Sequence, residues 1–372
     1  MPIARRQRSF VPNKIVVLDL TRLLPGAMAT KVLCDYGATV IKIEEPQHGD
    51  PARRFPNDKR QLLFKVTNAG KFSVTLDLKS NEGKQVFARL ATKSDIVIEG
   101  FRPGVMDRLG IGFGALSRRN SRLVYVSLSG YGRSGPYHAL PGHDLNYGGL
   151  AGLLQRDLDR RPVVPQVPLV DIVGGLLTAI RVLFALTGLH PRDTAQRVDL
   201  NLYGTARWLV PIVSAIYHSG VLSGNYACYR AYKAKDDGWL TVAALERKFW
   251  ENLCNKINCA DLIDLQFASD KQGAMIQRLS TIFRKKYAAE WFTLLGDECV
   301  APVMNDIWRS QQARRPPVKG ELGCGAVGKK RPRECPSLGQ HTRHVLSWAG
   351  YSKSAIDSLE AHRIIRTPGA EW

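Results

Sequence analysis

Residues 15–44 read IVVLDLTRLLPGAMATKVLCDYGATVIKIE. The first six are an apolar, β-branched run that suits a buried strand, and Pro25-Gly26 interrupts it. Residues 27–36 have helical patterning and stop at Gly37, the residue type that most readily takes the left-handed turn after a helix. Residues 39–44 form a second apolar strand. Strand, helix and strand in so short a space predict a βαβ unit with parallel strands and a right-handed crossover.

The same rhythm continues outward. Strands are predicted at 72–78, 95–99 and 123–128, with helices at 81–92 and 105–109. Alternation of this kind predicts an open α/β sheet, in which ligands bind at the loops that follow the strand ends. Three such loops are rich in Arg and Gly: GDPARR at 49–54, FRPG at 101–104 and SGYGRSG at 129–135. Any one of these arginines reads more readily as a solvated surface charge than as a ligand group. Together the loops place Arg53, Arg54, Arg102, Arg133 and the amides of Gly130 and Gly132 where an anionic ligand can be held. No GxxxxGK[ST] occurs and no GxGxxG follows the first strand, which argues against kinase and nicotinamide-cofactor chemistry.

The residues that bear chemistry lie in 142–171, from GHDLNY to PLVD, in surroundings that otherwise read as turn and apolar segment. His143, Asp144 and Asp171 are the side-chain types that move a proton to or from carbon or attack an acyl group. Residues 172–186 (IVGGLLTAIRVLFAL) predict a helix buried on most sides, with Gly174 and Gly175 allowing close approach of a backbone or ligand. Asp171 directly precedes that helix, so it reads as an N-cap worth about 1 kcal/mol, as a catalytic group, or as both. His143 taken alone is open between a structural and a catalytic role.

With 372 residues, 44% apolar and 23% charged, the chain has room for two domains and a substantial core. A large α/β domain is expected over 1–190, completed by 340–372, with linker helices at 191–222. A smaller α+β domain is expected over 223–309, containing two short strands about an Asp-Asp-Gly turn and helices at 248–257 and 288–295. Residues 310–339 read as an irregular basic linker, followed by short helices at 340–349 and 353–361. No apolar run approaches the roughly 20 residues of a membrane span, and residues 1–15 lack the apolar centre of a secretory signal. A soluble, cytoplasmic protein without membrane attachment is therefore expected. The seven cysteines form no CxxC pair and are read as reduced, with no metal site. The net charge of +20 favours a polyanionic partner. Its spread along the whole chain, without a zinc-finger, RNP or helix-turn-helix pattern, argues against nucleic acid and for a phosphorylated ligand such as coenzyme A.

The succession VLDLTRLLPG, DYGATVIKIE, GD-x-x-R, NAGK-x-SVTLDLK, FRPGVMDRLG, SGYGRSGPY, GHDLNY, VDIVGG and PSLGQHT resembles family III CoA-transferases of the CaiB/BaiF type, and within them the α-methylacyl-CoA racemase branch. The resemblance spans residues 15–364. It implies an α/β large domain built from both chain ends, a small domain from the later middle, and an interlocked homodimer. It further implies an acyl-CoA substrate, with coenzyme A entering only as part of that substrate and with neither metal nor redox cofactor. CoA would lie near the GD-x-x-R and FRPG loops, against Arg53, Arg54, Lys71, Phe101, Arg102 and Arg108.

For the chemistry, the resemblance implies one of two routes. A racemase of 2-methylacyl-CoA would use His143 and Asp171 as opposing bases beside Asp144, with Glu246 of AALERKFW orienting the histidine. A transferase would use Asp171 as the nucleophile that forms an acyl anhydride. Leu24 stands where transferases carry glutamine, and the small domain lacks their run of glycines, so racemisation is the expected activity. A CoA-transferase, or a catalytically silent CoA- or nucleic-acid-binding protein, are the alternatives. HPRDTAQR at 190–197 replaces a Gly-rich basic turn, and the segment between Pro302 and Ser337 is shorter and more basic than usual in the family.

Overall fold

The computed structural model describes residues 15–155, 161–187, 194–235, 237–303 and 334–369. The basic segment 310–333, the start of the HPRDTAQR break and residues 1–14 lie outside them. The chain divides into two compact units, Met1–Leu209 with Gly320–Trp372, and Val210–Lys319.

The first unit is built on six strands: β1 (Val16–Leu20), β2 (Thr39–Glu44), β3 (Phe72–Thr75), β4 (Ile96–Glu99), β5 (Val124–Ser129) and β6 (Gln196–Asn201). They pair in parallel in the order β3-β2-β1-β4-β5-β6, so the chain reverses its direction of sheet growth between β1 and β4. Both faces are covered, as the near-continuous apolar strands require. Alternate residues of β1 point to opposite faces: Leu18 packs with Phe87, Leu90 and Val345, and Val17 with Leu33, Ala179 and Val182. The segment expected to be linker helices, 191–222, in fact supplies β6. Its pairing with β5 runs from Val124↔Gln196 to Ser129↔Asn201, which satisfies a strand edge that would otherwise be open.

Helix α1 (Leu23–Asp35) begins four residues before the predicted start. Pro25-Gly26 opens the helix instead of breaking the chain before it, because the first-turn N–H groups have no intrahelical partner and proline loses nothing there. Gly26 is required: a Cβ on it would sit 2.2 Å from Thr21 Cβ. The following helices are α2 (Leu62–Asn68), α3 (Asn81–Thr92), α4 (Val105–Arg108), α5 (Phe113–Ser117), α6 (Asp144–Ala151) and α7 (Leu169–Leu186). Helix α7 starts three residues before the predicted boundary and reaches 18 residues, long and apolar enough by length and composition to cross a membrane. Its buried row of Gly174, Gly175, Thr178, Ala179, Val182 and Ala185 instead packs inside the unit. A Cβ on Gly175 would meet Pro25 O at 2.6 Å, so this glycine serves a close crossing with α1, whereas one on Gly174 would meet Leu202 Cδ2 at 2.5 Å.

The C-terminal segment closes the β3 edge with side chains and backbone. Ser73 N donates to His341 Nδ1 (3.1 Å), Thr75 N to Thr342 Oγ1 (3.1 Å) and Asp77 N to Ile364 O (2.8 Å). Helices Thr342–Trp348 and Lys353–Ala361 follow. Helix α8 (Leu202–Ser219) leads to the second unit, a three-stranded antiparallel sheet of β7 (Tyr229–Lys233), β8 (Trp239–Ala243) and β9 (Val300–Pro302). It packs with α9 (Arg247–Lys256), α10 (Gln272–Phe283) and α11 (Ala288–Leu295) around Tyr232, Trp250, Phe283 and Trp291.

Candidate active site

The carboxyl ends of β1 and β2 carry a buried set of charges. Lys42 Nζ lies 2.8 Å from Asp50 Oδ2 and donates to Thr21 O at 2.9 Å. Lys71 Nζ donates to Asp19 Oδ2 (3.1 Å), Thr30 Oγ1 (2.7 Å), Asn68 Oδ1 (2.8 Å) and Ala27 O (3.1 Å). Arg53 holds Glu44 through Nε (2.7 Å) and Nη2 (2.8 Å) and lies over the Phe64 ring. Three carboxylates thus face three cations, and none of the six residues is exposed. Burial works to raise the Asp19 pKa, but Lys42, Lys71 and two hydroxyl donors hold it far below the usual carboxylate range. Burial also lowers Lys71, to about 8, against the pull of Asp19.

This set corrects two expectations. Arg53 and Lys71 are spent inside the protein, and their charges brace the sheet instead of facing a ligand. The sequence signal was ambiguous because an arginine in a Pro-rich polar loop looks solvated. The partner that buries Arg53, Glu44, is the last residue of β2, the strand that precedes its loop.

Beside this set a cleft of 310 Å³ opens at the ends of β1 to β4, lined by Thr21, Arg22, Asp77, Leu78, Lys79, Phe101 and Leu109 among others. It spans the point where the strand order reverses, the usual ligand crevice of open parallel sheets. Phe101 stands in its wall. Arg22 also lines it, with its guanidinium 5.0 Å from the Phe101 ring centroid. Arg22 was missed because the first βα loop reads as a mere turn. Its signal was its place directly after the first strand. Arg54, Arg102 and Arg108 are exposed nearby in the chain but do not line the cleft.

A second missed residue is Glu99, the last of β4. Its carboxylate accepts from Ser127 Oγ at 2.6 Å and from Phe101 N at 2.8 Å, which fixes the start of the FRPG turn. Burial pushes its pKa up to about 7, against both hydrogen bonds. Arg133 faces Asp107 (3.8 Å) and Asp199 (3.7 Å), and the Gly132 amide donates to Ser129 Oγ at 3.1 Å. Gly130 is glycine because a Cβ there would sit 2.6 Å from Tyr147 Oη.

Of the predicted proton-transfer residues, the structure brings Asp144 and Asp171 together, where α6 approaches α7. His143 is the exposed N-cap of α6, its amide donating to Asn146 Oδ1 at 3.0 Å, and Asp144 is the first residue of that helix. Asp171 is the third residue of α7, so the N-cap alternative is corrected: Pro168 holds the cap position. The Asp171 amide donates to Asp144 Oδ1 at 2.9 Å. Burial, and then the nearby Asp144 carboxylate, push the Asp171 pKa up to about 7. Tyr147, on α6, is buried, with Oη donating to Gly142 O at 2.5 Å and its ring 5.1 Å from that of Tyr131. Burial and the Asp171 charge raise its pKa well above the usual phenol value. Glu246 is the N-cap of α9 in the second unit.

A family model described as CoA-transferase family III matches residues 13–315. The chain is 30% identical to human α-methylacyl-CoA racemase over 95% of its own length and 97% of that protein. It is 32% identical to an acyl-CoA transferase of Fusarium pseudograminearum, covering 94% of this chain and 87% of the relative. Among solved structures, Rv3272 of Mycobacterium tuberculosis superposes with a TM-score of 0.73 at 28% identity, covering 90% of this chain and 99% of the other. The chain is therefore an enzyme that belongs to CoA-transferase family III.

Proposed function

We propose that the protein racemises or epimerises a 2-methylacyl-CoA by removing the proton α to the thioester and returning it on the opposite face. The observation that carries this reading is the contact of Asp171 with Asp144, whose carboxylate accepts from the Asp171 amide at 2.9 Å. A carboxyl group poised near pH 7 by burial and by Asp144 can both take and give a proton at neutral pH. His143, next in the chain to Asp144, supplies the second proton-transfer group. The CoA portion occupies the cleft at the ends of β1 to β4, and amides near the α7 N-terminus stabilise the enolate oxygen.

The transferase reading is favoured by a different observation, the similarity to the Fusarium acyl-CoA transferase. In that reading Asp171 attacks the thioester, forming an anhydride and releasing CoA as its thiolate. Incubation in D₂O separates the two: proton transfer places deuterium at Cα, whereas anhydride chemistry leaves that bond intact.

We further propose that two copies associate. Leu169, Leu176, Ile180, Leu183 and Phe184 form an exposed apolar row on α7, opposite its buried row. An apolar row of this length suits a covered face. Sedimentation should give a dimer that persists on dilution; a monomer at micromolar concentration would contradict it.

A further inference from the structure

The cleft at the strand ends must neutralise the phosphates of whatever CoA compound it holds, yet most of its charged lining is already paired. Lys42 lies on Asp50, and Glu44 is held by Arg53. Glu45 accepts from the amides of Gln47 and His48, and Asp77 from that of Lys79. Of the lining cations, only the Arg22 and Lys79 side chains have no carboxylate partner among the described residues. Arg22 is the better placed of the two. It stands where the sheet order reverses, and its guanidinium is ordered by the Phe101 ring at 5.0 Å. The Phe101 backbone is in turn held by Glu99 at 2.8 Å. The chain on the other side is pinned too: the amide of Leu23, at φ +59, donates to Asp50 Oδ1 at 3.2 Å. A planar donor group set against a ring, and carried on a backbone pinned at the next residue, suits bidentate capture of a phosphate.

We infer that Arg22, carried on Phe101, is the cation that anchors a phosphate of the CoA moiety, in the place that Arg53 and Lys71 leave unfilled. This assignment rests on the acyl-CoA reading of the cleft. CoA binding to the full-length protein is measured by titration calorimetry for wild type, Arg22→Ala and Arg22→Lys, with melting temperatures as the check on folding. Arg22 is exposed, so the melting temperatures should agree.

Arg22→Ala should weaken CoA binding by about tenfold or more, and Arg22→Lys should recover only part of the loss, because ammonium cannot make the paired contact. Pantetheine, which has no phosphate, should bind all three proteins alike. Dephospho-CoA distinguishes the source: a loss that persists with it identifies the diphosphate, and one that vanishes identifies the 3′-phosphate. Equal CoA affinity in wild type and Arg22→Ala overturns the assignment of Arg22 alone. An Arg22→Ala loss that is as large for pantetheine as for CoA overturns it as well. Wild type that binds no CoA would instead sink the acyl-CoA reading, and the assignment with it.

Discussion

The carboxylate of Asp144, on α6, accepts a hydrogen bond from the backbone amide of Asp171, on α7, at 2.9 Å. One of the unpaired N–H groups of the α7 first turn is thereby satisfied by a side chain from another helix. The same contact brings one carboxylate close to another, so the second is held less acidic. Asp144→Asn keeps an acceptor oxygen but removes the charge. The Asp171 pKa should then fall from its position near 7, and the acidic limb of the pH–rate profile should move to lower pH. Carboxyl ¹³C titration of both proteins checks this, and an unchanged Asp171 pKa would show that burial alone sets it.

Lys71 offers a contrast between bracing and binding. Replacing it with Ala leaves Asp19 buried beside a single lysine, 3.9 Å away. Unfolding in urea should show a loss of about 3–5 kcal/mol, the cost of breaking a buried pair. A variant as stable as wild type would return Lys71 to the list of ligand-binding groups.

His341 makes stability depend on pH at the β3 edge. Burial, with His344 nearby, lowers its pKa to about 4, so the native ring stays neutral and accepts from Ser73 N. The unfolded chain takes up the proton first, near the ordinary value of about 6.5. Stability is therefore complete above that value and is lost as pH falls toward 4. The urea midpoint should drop across this window, with part of the drop absent in His341→Asn. A midpoint equally pH-dependent in both proteins would place the effect elsewhere.

Much of this molecule is legible in the sequence. The βαβ rhythm from residue 15 is carried by local apolar runs and glycine stops, and the strands at 39–44 and near 96 and 124 stand where periodicity puts them. His143, Asp144 and Asp171 were visible because their types are unusual in turn and apolar surroundings. What periodicity could not convey is pairing at a distance. Arg53 and Lys71 look like ligand-binding groups until Glu44 and Asp19 are seen opposite them. Helix α6 was hidden because its first turn, Asp144 to Tyr147, has no apolar stripe and is held by Asn146 and by the contact with α7. Arg22 and Glu99 owe their interest to where the sheet order reverses, a property of topology alone.

The central claim is that the protein moves a proton at carbon, and deuterium incorporation tests it most directly. A 2-methylacyl-CoA of one configuration is incubated with the enzyme in D₂O, without any acceptor acid, and Cα is followed by NMR. Deuterium should enter at Cα as the other configuration forms, and His143→Ala or Asp171→Asn should slow both by about 10²–10⁴. Wild-type enzyme that incorporates no deuterium, yet passes CoA to an added carboxylic acid with Asp171 trapped by hydroxylamine, would contradict the account and make the protein a transferase.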